Sequence, residues 1–111
     1  MPDQYYQVLT TTDSRDAAVE LGRKAVEGRF AACSQVSGPI TSVYWWEGAV
    51  QQAEEWQCIM KTTSGRLVDL RDYIKSVHSY DVPEIVATPI SAGNPDYLAW
   101  IAAETEQRRS A

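Results

Sequence analysis

The sequence predicts an α+β domain, one antiparallel sheet with two helices on one face. The chain order is β-α-β-β-α-β, with a further helix at the C-terminal end. Three observations predict it. Four stretches are β-branched, aromatic and apolar in the manner of strands. Two segments with apolar residues at helical spacing separate the first stretch from the second and the third from the fourth. Only a short Glu47-Gly48 turn joins the two middle strands. That order is the ferredoxin-like, split βαβ arrangement.

Each element has a local cause. Tyr5–Thr12 (YYQVLTTT) is strand-like throughout. Ser14 caps the helix that follows, in which Ala17, Ala18, Leu21, Ala25 and Val26 form the buried side. Gly28 is expected to end it in the left-handed conformation. The apolar run Phe30-Ala31-Ala32-Cys33-Ser34-Gln35-Val36 leads to Gly38-Pro39, which marks a bulge or bend. Ile40-Thr41-Ser42-Val43-Tyr44-Trp45-Trp46 resumes the strand, and residues 50–62 return, with Trp56, Cys58 and Met60 on one face. Thr63 or Ser64 is expected to cap the second helix, whose stripe is Leu67, Leu70, Ile74 and Val77. Residues 85–90 form the last strand, and Pro89 places it at an edge or boundary. Asn94-Pro95 starts the final helix, with Leu98, Ile101 and Ala102 inward. Residues 107–111 are expected to fray.

With 111 residues the chain is expected to be a single domain spanning 1–111. Its hydrophobic share of 44 % and charged share of 23 % are those of a globular protein. Ten basic against fifteen acidic residues give a net charge of −5, which disfavours nucleic acid as a partner. No apolar run is long enough to cross a bilayer, so no membrane is expected. The start, Met1-Pro2-Asp3-Gln4, has no basic or apolar leader, and two cysteines make no disulfide framework. Reduced thiols and a cytoplasmic location are the expectation.

The hairpin carries the most information. Tyr44 and Trp46 face one way and Val43 and Trp45 the other, so both faces need cover. A long apolar hairpin left bare is an aggregation hazard. Pairing with sister chains in a closed ring solves this, and the alternative is cover by the terminal helix and loops.

These residues also resemble a known family. Ser42-Val43-Tyr44-Trp45-Trp46-Glu47-Gly48 is similar to the S-I-Y-W-W-x-G segment of the CutA family of divalent-cation-tolerance proteins. Ala31-Ala32-Cys33 resembles its A-x-C element, and His78-Ser79-Tyr80-Asp81-Val82-Pro83-Glu84-Ile85 its H-P-Y-E-V-P-E-I element. The segment from Gly93 to Ile101 resembles its G-N-x-x-Y-x-x-W-I element. The chain departs from the pattern at Ser34-Gln35 (often Val-Asn), Ser79 (usually Pro) and Asp81 (usually Glu). The resemblance implies a ferredoxin-like homotrimer, similar to the PII signalling proteins, whose long hairpins pair between subunits. It also implies a part in tolerance of copper and other divalent metals.

Candidate chemistry follows from residue types. Cys33 offers a soft thiolate, His78 an imidazole and Glu84 a carboxylate, donors that suit copper or another divalent metal. Their spacing matches no zinc finger or ribbon, so a site has to be assembled in three dimensions, across subunits if need be. A metal is not expected to be required for folding. Each residue also has a plainer role: a small apolar core residue for Cys33, a helix end for His78, a solvated strand start for Glu84. Buried, Glu84 needs a partner, for which Lys61 is the candidate. Cys58 shares its face with Trp56 and Met60 and reads as core or interface. Tyr44, Trp45, Trp46 and Trp56 read as trimer-interface residues, because adjacent tryptophans on opposite faces form no single stacking wall. No P-loop, dinucleotide fingerprint, nucleophile elbow or H-E-x-x-H is present, so no enzyme is expected. The alternatives are a PII-like sensor of a small anion or nucleotide, and a trimeric scaffold for a protein partner.

Overall fold

A computed structural model describes residues 4–107. The elements run β1 (Tyr5–Thr12), α1 (Arg15–Glu27), β2 (Cys33–Trp46), β3 (Ala49–Thr63), α2 (Leu67–Val77), β4 (Val86–Ile90) and α3 (Pro95–Glu104). The sheet order is β2-β3-β1-β4 with every pairing antiparallel. This is the ferredoxin-like arrangement expected from the pattern. The expected fraying falls, from residue 108 on, outside the described residues.

The core lies between one sheet face and α1 and α2. Val8, Cys58 and Met60 meet Ala18, Leu21, Ala25, Leu70 and Ile74, all buried. Small residues let α1 approach closely: a methyl group added at Gly22 would lie 2.7 Å from Ser34 Cβ and 3.0 Å from Cys58 Sγ. The link from α1 to β2 is pinned from several sides. Phe30 stacks on Tyr73 at 5.0 Å, with the Arg66 guanidinium 4.9 Å from the Phe30 ring centre. Thr62 Oγ1 donates to the Phe30 carbonyl.

Local signals held where they were short-ranged. Ser14 accepts from the Ala17 N–H, and Asn94 accepts from the Asp96 N–H. Such caps stabilise a helix by about 0.5–2 kcal/mol. β4, which carries Pro89, is an edge strand, where the missing N–H leaves no gap in a ladder. Glu47 and Gly48 both hold positive φ, 51° and 81°, as a tight two-residue hairpin requires.

Three expectations are corrected. Gly28 stays at φ −80°, and it is Arg29 that turns left-handed at φ 64°. The helix therefore closes one residue later, on bonds from the Gly28 and Arg29 amides. Neither Thr63 nor Ser64 caps α2, because Thr63 is still paired with Tyr5 in the sheet. Arg66 takes the cap position without a side-chain bond. Val77 belongs to no buried stripe: it is 48 % exposed, whereas Leu70 and Ile74 are fully buried.

Gly38-Pro39 does not split the strand. It inserts a bulge, so that β2 takes three steps from Ser37 to Ile40 while β3 takes two from Gln57 to Glu55. The bulge inverts which residues face which side. Before it, Cys33, Gln35 and Ser37 share the face away from the core, and after it Ile40, Ser42, Tyr44 and Trp46 do. Gly38 holds φ 150°, and a methyl group there would lie 2.6 Å from Trp56 Cδ1, so the bulge needs glycine.

β1 covers β3 only from Trp56 to Thr63. Beyond that, residues 40–46 and 49–55 form a free two-stranded ribbon. The ribbon stretches the chain to 48 Å and raises its Cα radius of gyration to 14.9 Å. A compact domain of this length has a radius near 13 Å.

Candidate functional site

The ribbon is apolar and uncovered. Trp45 is 75 % exposed, Val43 63 % and Trp46 45 %, and Tyr44 and Val50 are exposed as well. Both faces are involved, as the alternation predicts. α3 covers part of the second face, but only near the base. It packs on β3, and its Tyr97 meets Cys33. Trp56 is placed differently from the other three aromatics: it is half-buried against the core of its own chain.

The sequence-predicted metal residues are not brought together. Cys33 and His78 are separated by two strand spacings and four residues of strand, roughly 15 Å. Among the described residues no three His, Cys, Asp or Glu side chains form a group able to hold a metal. Cys33 is half-buried, with Sγ 3.6 Å from Tyr97 Oη. That contact, and burial after it, push the Tyr97 hydroxyl up to about 12. Both cysteines are free thiols.

His78 is fully engaged within its own chain. The Tyr80 N–H donates to Nδ1 at 3.1 Å. Nε2 lies 2.8 Å from the Thr11 carbonyl oxygen, which can only accept, so the ring proton sits on Nε2. A metal at either nitrogen has to break one of these bonds. The ring also packs on Tyr80, 4.7 Å between centres. His78 therefore fastens residues 78–85 to the end of β1.

That fastening builds a cleft of about 530 Å³ on the face away from the core. Thr11, Ser42, Tyr44, Trp46 and Glu55 line it from the strands, and Tyr80, Asp81, Val82 and Glu84 from the loop. Glu84 is exposed at its rim, and its expected partner Lys61 instead donates to Gln35 Oε1 at 2.8 Å. The buried acid is Glu55, 8 % exposed. Tyr80 Oη donates to Glu55 Oε2 at 2.9 Å. Burial first, and this bond second, push the Tyr80 hydroxyl well above the ordinary phenol value, so it stays a donor at neutral pH. Sequence reasoning missed Glu55. Strand alternation from Trp56 does put it opposite the core, on a face expected to be wet.

The second thiol is inert by position. Burial pushes Cys58 up to about 11 from an ordinary 9.0. We expect iodoacetamide at neutral pH to label Cys33 and to leave Cys58 untouched until the chain unfolds, as read by peptide mass spectrometry. Because the raised thiol favours the folded state while neutral, its stabilisation is full below pH 9 and is lost as pH rises toward about 11. Equal labelling of both thiols in the folded chain would contradict this.

Comparison with known proteins gives one consistent answer. The profile of the CutA1 divalent ion tolerance protein family matches residues 6–104. The chain is 36 % identical over 106 residues to Protein CutA of Mus musculus, covering 96 % of this chain and 60 % of that protein. It therefore spans less than two thirds of the mouse relative. It is 40 % identical over 98 residues to the divalent-cation tolerance protein CutA of Thermus thermophilus, covering 88 % of this chain and 95 % of that one. The solved structure of that Thermus protein superposes with a TM-score of 0.89 at 38 % identity, over 92 % of this chain and 99 % of the other. A structure from Archaeoglobus fulgidus, named a periplasmic divalent cation tolerance protein CutA, gives a TM-score of 0.88 at 35 % identity, with coverage of 92 % and 99 %.

Proposed function

The chain belongs to the CutA1 divalent ion tolerance family, and from that premise we propose that it acts as a non-enzymatic homotrimer in tolerance of divalent metals, copper among them. The observation that carries the trimer is the bare aromatic ribbon, with Trp45 75 % exposed on one face and Trp46 45 % on the other. An isolated two-stranded ribbon is marginal in water, and β2 offers an unpaired edge along its whole length. Pairing of Tyr44, Trp45 and Trp46 with neighbouring copies removes both liabilities, and Trp56 supports the base of that interface from the core side. We place the protein in the cytoplasm, where its two free thiols stay reduced.

Metal binding, on this reading, is weak and is completed between subunits. Cys33 and Glu84 are accessible donors, and His78 joins them only by giving up its bonds to Thr11 and Tyr80. No metal is needed for the core, which closes on apolar contacts alone. Chelation with EDTA is therefore expected to leave the melting temperature unchanged, and a large drop would contradict a metal-independent fold. Tolerance itself is tested in cells lacking the chain and grown in graded copper. The wild type is expected to restore growth, and Cys33→Ser to restore it less. Growth that is indifferent to the chain would overturn the reading. The nucleotide or anion sensor fits less well, because among the described residues the lining of the cleft carries three acids and no base.

A further inference from the structure

We propose that the groove between α1 and α2 binds a small neutral carbonyl compound, about the size of a six-membered ring, whose oxygen accepts from Tyr73 Oη. The proposal goes beyond the metal-tolerance reading and does not depend on it. None of the residues that line the groove belongs to the ribbon, so pairing of the ribbon with other copies is compatible with an occupied groove.

An unpartnered hydroxyl marks the place. Two buried side-chain oxygens have no hydrogen-bond partner among the described residues, Thr10 Oγ1 and Tyr73 Oη. Thr10 is sealed in the core, whereas Tyr73 lines the groove. The Tyr73 ring is fixed by its stacking on Phe30, so the hydroxyl does not swing away to find a partner. Burial first, and the carboxylates of Glu20 and Glu27 after it, push this hydroxyl above the ordinary phenol value, so it is a donor at neutral pH. Glu20 also stands in the groove wall, which puts the hydroxyl on the groove side of the ring. A buried donor without an acceptor is costly, and native proteins keep few of them.

The rest of the wall selects an uncharged ligand. Its two charged residues, Glu20 and Lys24, pair with each other at 3.5 Å, and both nitrogens of His78 are engaged. An ion entering the groove has to break one of these pairings or stay unpaired itself. Ala17, Leu21 and Val77 supply apolar surface. Val77 continues the stripe of α2 past the end of the core and stands 48 % exposed in the groove, so an apolar body has a surface to bury. The volume is about 200 Å³. A cavity of about 150 Å³ already admits benzene, so a ring with one carbonyl group fits. The Glu20 and Lys24 side chains are half-exposed, and their pair is the part of the rim free to move aside as the oxygen reaches Tyr73.

Methyl-detected NMR titration of the full chain tests this with three probes of matched shape: cyclohexanone, cyclohexanecarboxylate and cyclohexylammonium. Only cyclohexanone is expected to shift the Leu21 and Val77 methyl signals saturably. Tyr73→Phe keeps the ring that stacks on Phe30 and removes only the unpartnered hydroxyl, so it is expected to melt no lower than the wild type. It is expected to weaken cyclohexanone binding by about tenfold. Val77→Phe, at a half-exposed position, is expected to fill the groove and abolish binding while the fold stays intact. No saturable shift with cyclohexanone, equal shifts with either ion, or an affinity unchanged in Tyr73→Phe overturns the proposal. The last result would mean that water alone satisfies the hydroxyl. Binding that persists undiminished in Val77→Phe overturns it as well, because the ketone then sits elsewhere.

Discussion

Replacing both Trp45 and Trp46 with alanine is expected to convert the proposed trimer to monomers while leaving the secondary structure of each chain intact. The two rings lie on the free ribbon, beyond the reach of β1, and are largely exposed within one chain. Their removal therefore takes little from the core formed by Val8, Met60, Leu70 and Ile74. In an assembly that buries them, each truncation costs about 3–5 kcal/mol, and a three-fold ring repeats the loss in every subunit. Size-exclusion chromatography with light scattering reads the mass, and circular dichroism reads the fold. Val68→Ala serves as a control, because Val68 is an exposed apolar residue on α2, away from the ribbon. A double variant that keeps the mass and melting temperature of the wild type would remove these tryptophans from any interface.

The second large effect separates two residues of one helix. Ile74→Ala is expected to destabilise the chain by about 2–5 kcal/mol, and Val77→Ala by no more than about 0.5 kcal/mol. Both sit on the stripe that helical spacing picks out. Ile74 is fully buried against the sheet, whereas Val77 is 48 % exposed in the last turn of α2, where the chain leaves for His78. Denaturant unfolding of the two variants decides it. Similar midpoints would mean that α2 packs through a different face.

The same pair shows what sequence reveals and where it stops. Periodicity identifies the face of a helix but not where its neighbour ends. The caps at Ser14 and Asn94 and the Glu47-Gly48 turn were legible because each is decided within four residues. The start of α2 was not. β1 holds Thr63 in the sheet through its pairing with Tyr5, 58 positions away in sequence, and pushes the cap to Arg66. The length and two-sided character of the hairpin were legible from alternation alone. How the Gly38-Pro39 bulge sets the outward face was not, since one inserted residue inverts the pattern.

The site was harder still. Cys33, His78 and Glu84 were chosen for the chemistry of their side chains, and strand order keeps Cys33 and His78 apart in the chain. Glu55 drew no expectation from the sequence, since nothing next to it marks it as buried. It is buried because His78 ties the following loop to Thr11 and brings Tyr80 over the carboxyl group. That contact depends on residues 25 positions apart, and nothing local to Glu55 announces it.

The central claim is that the hairpin closes three copies into a ring. Native mass spectrometry of the purified chain tests it most directly, alone and with Cu(I), Cu(II) or Zn(II) added. The account predicts a trimer in every sample, one that persists after chelation and takes up metal only weakly. A monomer or a dimer as the dominant species without metal would contradict it, and would mean that the exposed aromatics of the ribbon serve another partner.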